Sequence, residues 1–184
     1  MTVTPRTSTL QLRRLTAGDE DQVREAEREL AADGFEFLAG HGGRPFAEQL
    51  AALDAEARGT DLPAGRVPAT FLVGVVDGVI VGRVSVRHRL NAWLAQHGGH
   101  IGYAVRPAYR RQGHATALLR AGLAHCADLG IDRALVTCAD TNVASARTIE
   151  RCGGVLQDVI DRHDNRPLRR YLVPTALLAV GSRG

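Results

Sequence analysis

The stretch RPAYRRQGHATALL, residues 106–119, joins the end of a strand to the clearest helix of the chain. Arginines surround Gly113, and an alanine- and leucine-rich run begins directly after it. The start of a helix presents free backbone N–H groups and the positive end of the helix dipole, so it attracts anions. Glycine lets the backbone approach a ligand closely, and the arginines add positive charge. The stretch therefore predicts an anion-binding turn between a strand and a helix.

The hydrophobic periodicity on both sides of this turn predicts an α/β fold. The expected order is β-α-α-β-β-β-α-β-α-β-β, which indicates a mixed, mostly antiparallel sheet with helices on both faces. The strand before the turn and the strand after its helix form a right-handed crossover and are predicted to be parallel. Strands are expected at residues 10–15, 70–76, 79–88, 100–105, 133–138, 155–160 and 169–174, and helices at 20–32, 45–57, 115–129 and 142–151.

A chain of 184 residues fits one domain, which we place at residues 9–175. Residues 1–8 are rich in proline and threonine and are expected to form a flexible N-terminus, with residues 176–184 as a C-terminal tail. The N-terminal residues carry no apolar run typical of a signal peptide, and no segment has the length and apolarity of a membrane span. These features predict a cytoplasmic protein without a membrane partner.

Composition argues against nucleic acid and metal partners. The formal net charge is +3, and arginine supplies all 23 basic residues while lysine supplies none. Nucleic-acid binding requires a concentrated basic stripe, which the sequence lacks. The cysteines at 126, 138 and 152 match no common zinc spacing, and His97 and His100 have no third ligand. We therefore expect reduced thiols and no metal site.

The turn also resembles a known family. Residues 110–115, RRQGHA, have the form R-x-x-G-x-A, which resembles the Q/R-x-x-G-x-G/A pyrophosphate-binding turn of the GNAT N-acetyltransferase superfamily. The later segments DLGIDRALVTC and DTNVASARTIERCGG resemble the next elements of that superfamily, so the resemblance covers about residues 67–174. RHRLN at 87–91 and GGHIGY at 98–103 are similar to a bacterial subgroup of acetyltransferases with an RHxLN…GGHIGY pattern.

The resemblance implies acetyl-CoA as the acetyl donor. In the family the turn amides hold the pyrophosphate, an asparagine after the next strand contacts the pantetheine region, and strand amides before the turn polarise the thioester carbonyl. Carried over to this sequence, the expected coenzyme-binding residues are Ala104, Val105, Arg110, Arg111, Gln112, Gly113, His114, Ala115, Asn142 and Ser145.

Catalytic residues are less sharply indicated. Many family members carry a general-acid tyrosine in the helix after the asparagine, where this chain has Ile149. An alkylamine of pKa about 10 is protonated at neutral pH, so a base assists its attack. His100 and His88 are the candidate bases, and Tyr103 is a candidate proton donor. His100, Gly102 and Ala104 share one strand face, which we expect to be open for pantetheine or acceptor.

Two functions remain open on these residues. The first is an N-acetyltransferase, monomeric or homodimeric, acting on a primary amine of a small molecule or a protein. The second is a catalytically weak acyl-CoA-binding module, which the missing tyrosine would allow. A different nucleotide binder is excluded, because the sequence has neither a G-x-x-x-x-G-K-[ST] nor a G-x-G-x-x-G pattern.

Overall fold

The computed structural model describes residues 9–161 and 166–176 of the chain, and its elements follow the predicted order. The seven strands are β1 (Gln11–Arg13), β2 (Ala69–Val76), β3 (Val79–Arg87), β4 (Ile101–Val105), β5 (Arg133–Ala139), β6 (Val155–Ile160) and β7 (Leu168–Pro174). The four helices are α1 (Glu20–Ala31), α2 (Phe46–Arg58), α3 (His114–Asp128) and α4 (Val143–Arg151).

All seven strands form one sheet, in the order β1-β2-β3-β4-β5-β7-β6. The β4–β5 pair is parallel and the five other pairs are antiparallel, which confirms the mixed, mostly antiparallel sheet and the crossover through α3. β5 is buried along most of its length, in keeping with the nearly continuous apolar run of its sequence. The parallel pair therefore lies in the interior of the sheet.

Helices cover both faces of this sheet, as predicted. One core lies beneath α3 and α4, on what we call the α3–α4 face, and includes Val84, Ile101, Val105, Leu119, Val136 and Ile149. A second core lies beneath α1 and α2, on the α1–α2 face, and includes Val23, Leu30, Phe37, Leu53, Phe71 and Ala104. Neighbouring residues of β4 thus belong to different cores, because successive side chains of a strand point to opposite faces.

Several element boundaries differ from the predictions. The first strand is shorter than residues 10–15, and α3 begins at His114 because Gly113, with φ of +86°, takes the position before the helix. The segment 89–99, which lies between two predicted strands and has no predicted element of its own, contains a π-helical turn at Leu94–Gly98. Asn91 starts this turn, since its side-chain oxygen accepts the N–H of Leu94 at 2.9 Å.

A buried arginine at the end of β4 ties the sheet to α1. Arg106 is 3% exposed and its guanidinium donates to Glu29 at 2.8 and 2.9 Å and to Glu25 at 2.6 Å. It also donates to the carbonyl of Ile80 at 3.0 Å, on β3. These hydrogen bonds raise the pKa of Arg106, so it stays charged. The turn that follows β4 therefore starts from a fixed point.

Residues 1–8, 162–165 and 177–184 lie outside the described residues, and with them the predicted flexible N-terminus and most of the predicted tail. Across the residues that the structure does describe, none of the helices combines the length and the apolar character that crossing a membrane requires.

We expect Arg106→Met to lower the free energy of unfolding by about 2–3 kcal/mol, because it removes a hydrogen-bonded ion-pair network whose glutamates keep some contact with water. Urea denaturation followed by circular dichroism measures this loss. Arg28→Met, at an exposed position on the same helix as the two glutamates, is the control and should change stability by less than 0.5 kcal/mol, which is roughly the usual range for surface changes. Equal stability of the two variants would contradict the anchoring role.

Candidate active site

The parallel strands β4 and β5 separate soon after they meet. The register of this pair consists of Ile101 opposite Val136, whereas β4 stays paired with β3 from Ile101 to Val105. Arg106 donates its backbone N–H to Val81 on β3 at 2.9 Å, which continues that register. Because alternate residues direct their N–H groups to opposite neighbours, Tyr103 and Val105 direct theirs toward β5. Beyond Ile101 the two strands thus form an opening toward which backbone N–H groups of β4 point.

Two hydrogen bonds between His100 and Leu135 hold β4 and β5 together at the end where the strands meet. His100 donates its backbone N–H to the carbonyl of Leu135 at 2.6 Å, and its Nδ1 accepts the N–H of Leu135 at 2.9 Å. Gly99, with φ of +65°, precedes this contact, and a Cβ there would lie 2.4 Å from the Leu135 oxygen. Only glycine permits this approach without moving the backbone. The end of the opening is therefore fixed by side-chain and backbone atoms together.

This contact restricts what His100 can do as a base. With Nδ1 accepting a hydrogen bond, a neutral imidazole carries its proton on Nε2 and has no free lone pair. Burial, followed by the charge of Arg87, lowers the pKa of His100, which favours that neutral form. His100 would have to release Leu135 before it could accept a proton from an amine. Its catalytic role stays a prediction, and its observed contact is an anchoring one.

The predicted turn follows β4, at the end of the opening where β4 and β5 are separated. Arg111 has φ of +64° and Gly113 has φ of +86°, so two left-handed residues bend the chain sharply into α3. The first helical residues, His114 and Ala115, have no capping side chain in front of them, and the first turn holds no acidic residue. A Cβ on Gly113 would meet no atom within 4 Å. The helix thus offers uncapped N–H groups in open space, as an anion site requires.

Two turn side chains have partners within the protein. Arg110 donates from Nε to the carbonyl of Val105 at 3.2 Å and forms an ion pair of 2.5 Å with Asp33. Gln112 makes a long contact, 3.4 Å, with the carbonyl of Ala108. Arg111 is exposed. Arg110 therefore braces the turn against the end of α1, and Arg111 is the freer cation of the two.

Tyr103 and Ser145 come together across the opening. The phenolic oxygen of Tyr103 lies 2.8 Å from Oγ of Ser145 on α4. Burial is the main cause that raises the pKa of Tyr103 to about 12, so the phenol stays protonated. Asn142 caps α4 by accepting the N–H of Ser145 at 3.0 Å. The structure thus brings Tyr103 to the start of α4, which lies 42 positions further along the sequence at Ser145.

Ile149 is completely buried in the α3–α4 core, so this position of α4 does not reach the opening. Cys138, the cysteine on β5, is also buried, and burial raises the pKa of its thiol. His88 lies at the far end of β3, where Thr70 is within 2.8 Å of its Nε2 and 3.0 Å of His125 Nε2. His88 is therefore engaged with α3 and distant from Tyr103 along the strand.

Sequence reasoning missed two arginines of β3. The face of β4 formed by Gly102 and Ala104 was expected to be open, but the guanidinium groups of Arg83 and Arg87 cover it at Gly102. Arg83 is 4% exposed and donates to the Gly102 carbonyl at 3.0 Å. Their alternate positions on β3 were a signal that both side chains share one face. The expectation of an open face was wrong because small residues on one strand leave room for long ones on its neighbour.

In the described residues no group of three or more histidine, cysteine or acidic side chains could hold a metal ion. The prediction of no metal partner stays a prediction for the whole chain.

Residues 23–154 match the acetyltransferase (GNAT) family. Among curated proteins, none matches the chain. Solved structures share the fold at low identity. RimL, the ribosomal L7/L12 alpha-N-protein acetyltransferase, in complex with coenzyme A, is 18% identical with a TM-score of 0.68, covering 92% of this chain and 96% of that chain.

Two further structures are similar in the same way. Mycobacterium smegmatis RimJ in complex with CoA-disulfide is 22% identical with a TM-score of 0.66, over 92% of this chain and 84% of that chain. Salmonella typhimurium YncA with acetyl-CoA is 15% identical with a TM-score of 0.64, over 95% of this chain and 99% of that chain. At these identities the likeness establishes the fold.

The lowered pKa values of His88 and His100 predict a pH-dependent stability. Burial favours the neutral rings, so below about pH 6.5 the unfolded chain binds more protons than the folded one. The free energy of unfolding should therefore fall as the pH drops from 7.5 to 5.5, in urea titrations at both values.

The His88→Asn/His100→Asn double variant should show a smaller fall over that interval than the parent protein. His114→Asn, at the turn, serves as the control for loss of a histidine. A parent and a double variant with parallel pH curves would contradict the prediction.

Proposed function

The chain belongs to the GNAT acetyltransferase family, and from this membership we propose that it is an acetyl-CoA-dependent N-acetyltransferase acting on a primary amine of a small molecule or a protein. One observation carries the proposal: the opening between β4 and β5 leads directly to an uncapped helix start. Within the family we place the chain with the bacterial subgroup that has the RHxLN…GGHIGY pattern, and we infer a cytoplasmic site of action.

We infer that the turn holds the pyrophosphate of acetyl-CoA. The N–H groups at the start of α3 supply hydrogen bonds and a positive dipole, and exposed Arg111 adds a full charge. We place the pantetheine arm between the separated strands, where strand alternation directs the N–H groups of Tyr103 and Val105 toward it. The alternation favours Val105 over Ala104 as the donor to the thioester carbonyl, because the amide of Ala104 points toward β3.

The proposed reaction is direct attack of the neutral amine on the thioester carbon. The nitrogen–carbon bond forms, the carbon–sulfur bond breaks, and coenzyme A leaves as a thiolate while the amine loses one proton. A thiol of pKa about 8.5 leaves readily, so its protonation contributes little to the rate. Alignment of the two reactants in one opening supplies a larger share of the acceleration.

Tyr103 is the group that we assign to the leaving thiolate, to which it donates a hydrogen bond. Its phenol is bonded to Ser145, and its pKa of about 12, above that of a thiol, keeps the proton on the phenol, so water protonates the released thiolate. Tyr103 belongs to β4, whereas the family tyrosine comes from α4, where this chain buries Ile149. We assign the role of accepting the amine proton to water, because His100 is hydrogen-bonded to Leu135 and His88 is hydrogen-bonded to Thr70.

The buried Ile149 also favours the second candidate, an acyl-CoA-binding module with little turnover. The two candidates share coenzyme binding and differ in catalysis. Release of coenzyme A from acetyl-CoA, measured with a panel of primary amines, separates them: amine-dependent release supports the enzyme, and binding without release supports the module.

We expect acetyl-CoA to protect residues 101–119 from hydrogen exchange, because the coenzyme would contact β4, the turn and the start of α3. Mass spectrometry of the exchanged protein measures this protection. An unchanged exchange rate in this segment at saturating acetyl-CoA would remove the assignment of the turn.

Gly113→Glu should abolish that protection, since it places a carboxylate beside the pyrophosphate. Gly113→Ala is the matched control, because both variants carry the same backbone strain at φ of +86° and neither Cβ meets a neighbour. Equal affinity of the two variants for acetyl-CoA would count against the proposed contact.

Tyr103→Phe should lower kcat by less than tenfold and leave the affinity for acetyl-CoA unchanged, because the thiolate is a good leaving group. Tyr171→Phe, which removes a hydroxyl bonded to Glu150 in the same core, is the control for loss of a buried phenol and should keep kcat. A loss in kcat of about 10³-fold or more on Tyr103→Phe would contradict this prediction, because a loss of that order is expected for an essential general acid.

A further inference from the structure

Two arginines of β3 lie side by side on the α1–α2 face without an ion-pair partner among the described residues. Arg83 donates to the backbone carbonyls of Gly102 and Glu36, at 3.0 and 3.2 Å. Arg87 donates from Nη1 to the carbonyls of Gly98 and Gly99, at 3.1 and 3.2 Å. These partners are neutral, so hydrogen bonding satisfies part of each guanidinium but leaves its charge uncompensated.

The nearest carboxylates do not neutralise the pair. The charge of Glu36 raises the pKa of Arg83, but the two side chains form no ion pair. The charge of Glu56 likewise raises the pKa of Arg87 without an ion pair. Glu56 is already bonded to His41 at 2.9 Å and to Arg66 at 2.7 Å. Its charge is therefore balanced by other groups, and Arg66 itself adds to the positive potential around Arg87.

Several donors of the two arginines are unused. Nε of Arg83 is buried and has no hydrogen-bond partner in the described part of the chain. Nε and Nη2 of Arg87, which is half-buried, make no hydrogen bond to the described residues either. A buried donor without a partner is unfavourable and rare in folded proteins. The pair therefore has both the charge and the free N–H groups to bind an anion.

The charge of the pair persists at neutral pH. Burial is the main cause that lowers the pKa of Arg83 to about 9, with Arg87 as the next contributor. A group with that pKa is still protonated at pH 7. A cation withdrawn from water without a counter-charge destabilises the protein, so a ligand that supplies the missing charge would be bound favourably.

The position of the pair relates it to the reacting atoms. A Cβ on Gly102 would lie 3.3 Å from Nη1 of Arg83 and 3.7 Å from Nη1 of Arg87, so both groups lie over Gly102. Gly102 follows Ile101, where β4 and β5 begin to separate. The α3–α4 side of β4 carries Tyr103, so an acceptor that approaches from the α1–α2 side meets the two cations first.

We propose that Arg83 and Arg87 bind a carboxylate of the acceptor, so that the preferred substrates are amines with a carboxylate a few bonds from the nitrogen. This inference rests on the proposed acetyltransferase function and names its acceptor class. The planar guanidinium suits a carboxylate, because it donates two parallel hydrogen bonds to the two oxygens. Half-buried Arg87 makes the first contact. Arg83 lies deeper, beneath the ring of Phe35 at 4.8 Å.

This chemistry has two sources, a free amino acid and a peptide whose N-terminal amine is close to an acidic side chain. Acetylation of alanine and alaninamide tests the first. Acetylation of amidated Ala-Asp and Ala-Asn peptides tests the second. Each pair differs in one carboxylate, and the pair that shows the larger preference identifies the source.

The decisive measurement is the ratio of kcat/KM for the carboxylate acceptor to that for its amide, in the parent protein and in Arg87→Gln. The change in this ratio cancels the difference in amine basicity within a pair. We expect Arg87→Gln to lower the ratio roughly 10- to 100-fold, mainly through KM of the carboxylate acceptor, as loss of a charge-assisted hydrogen bond requires. Arg87→Lys should recover part of it, and the KM for acetyl-CoA should not change.

Arg89→Gln is the matched control, since it removes an exposed arginine two residues further along the chain and should leave the ratio unchanged. Arg83→Met tests the deeper member of the pair, and Arg87→Gln keeps the test valid if that variant does not fold. An Arg87→Gln variant with a lower melting temperature and an unaltered ratio would assign the pair a structural role and overturn the proposal.

A second readout does not depend on turnover. The preferred amino acid or peptide should protect residues 79–105 from hydrogen exchange with coenzyme A present, and Arg87→Gln should lose this protection. If acetyl-CoA protects the turn but no carboxylate acceptor protects this segment or shows a preference, the acceptor inference fails and the proposed function stands. If acetyl-CoA does not protect the turn, the proposed function fails instead.

Discussion

The structure depends on one constraint: two parallel strands in the middle of the sheet must meet at one end and separate at the other. Backbone groups in a protein interior are normally paired, so an opening of this kind is unfavourable unless a ligand occupies it. The paired contact between His100 and Leu135 holds the closed end. Gly99 permits the close approach of the two strands, and Tyr103 of β4 is hydrogen-bonded to Ser145 of α4. The turn and α3 follow directly from the strand so positioned.

Arginines withdrawn from water have two different roles in this fold. Arg106 is surrounded by two glutamates and a carbonyl, and it fastens the end of β4 to α1. Arg83 and Arg87 are bonded to carbonyls and have no such counter-charge among the described residues. In the first arrangement the protein itself compensates the charge of the guanidinium. In the second, the proposed anion supplies the missing negative charge, which distinguishes a structural cation from a binding one.

Local patterns predicted the element order, the parallel crossover and the turn, because periodicity and glycine positions act over a few residues. The cap of α4 by Asn142 was predictable for the same reason. The contact of Arg110 with Asp33 and that of His100 with Leu135 were not, since each joins residues far apart in the sequence. Strand alternation places Arg83 and Arg87 on one face, but only the packed structure shows that they lie over Gly102 with unused donors.

Apart from its histidines, every basic side chain of this protein is a guanidinium group, and this has a chemical consequence for a protein in the GNAT family. The 184 residues contain no lysine, so they offer no side-chain amine that an acetyl thioester could modify. A guanidinium is almost never neutral in water and is a poor nucleophile toward such a donor. The surface charge, the turn and the proposed carboxylate site would therefore keep their charges however long the protein is exposed to its own reagent.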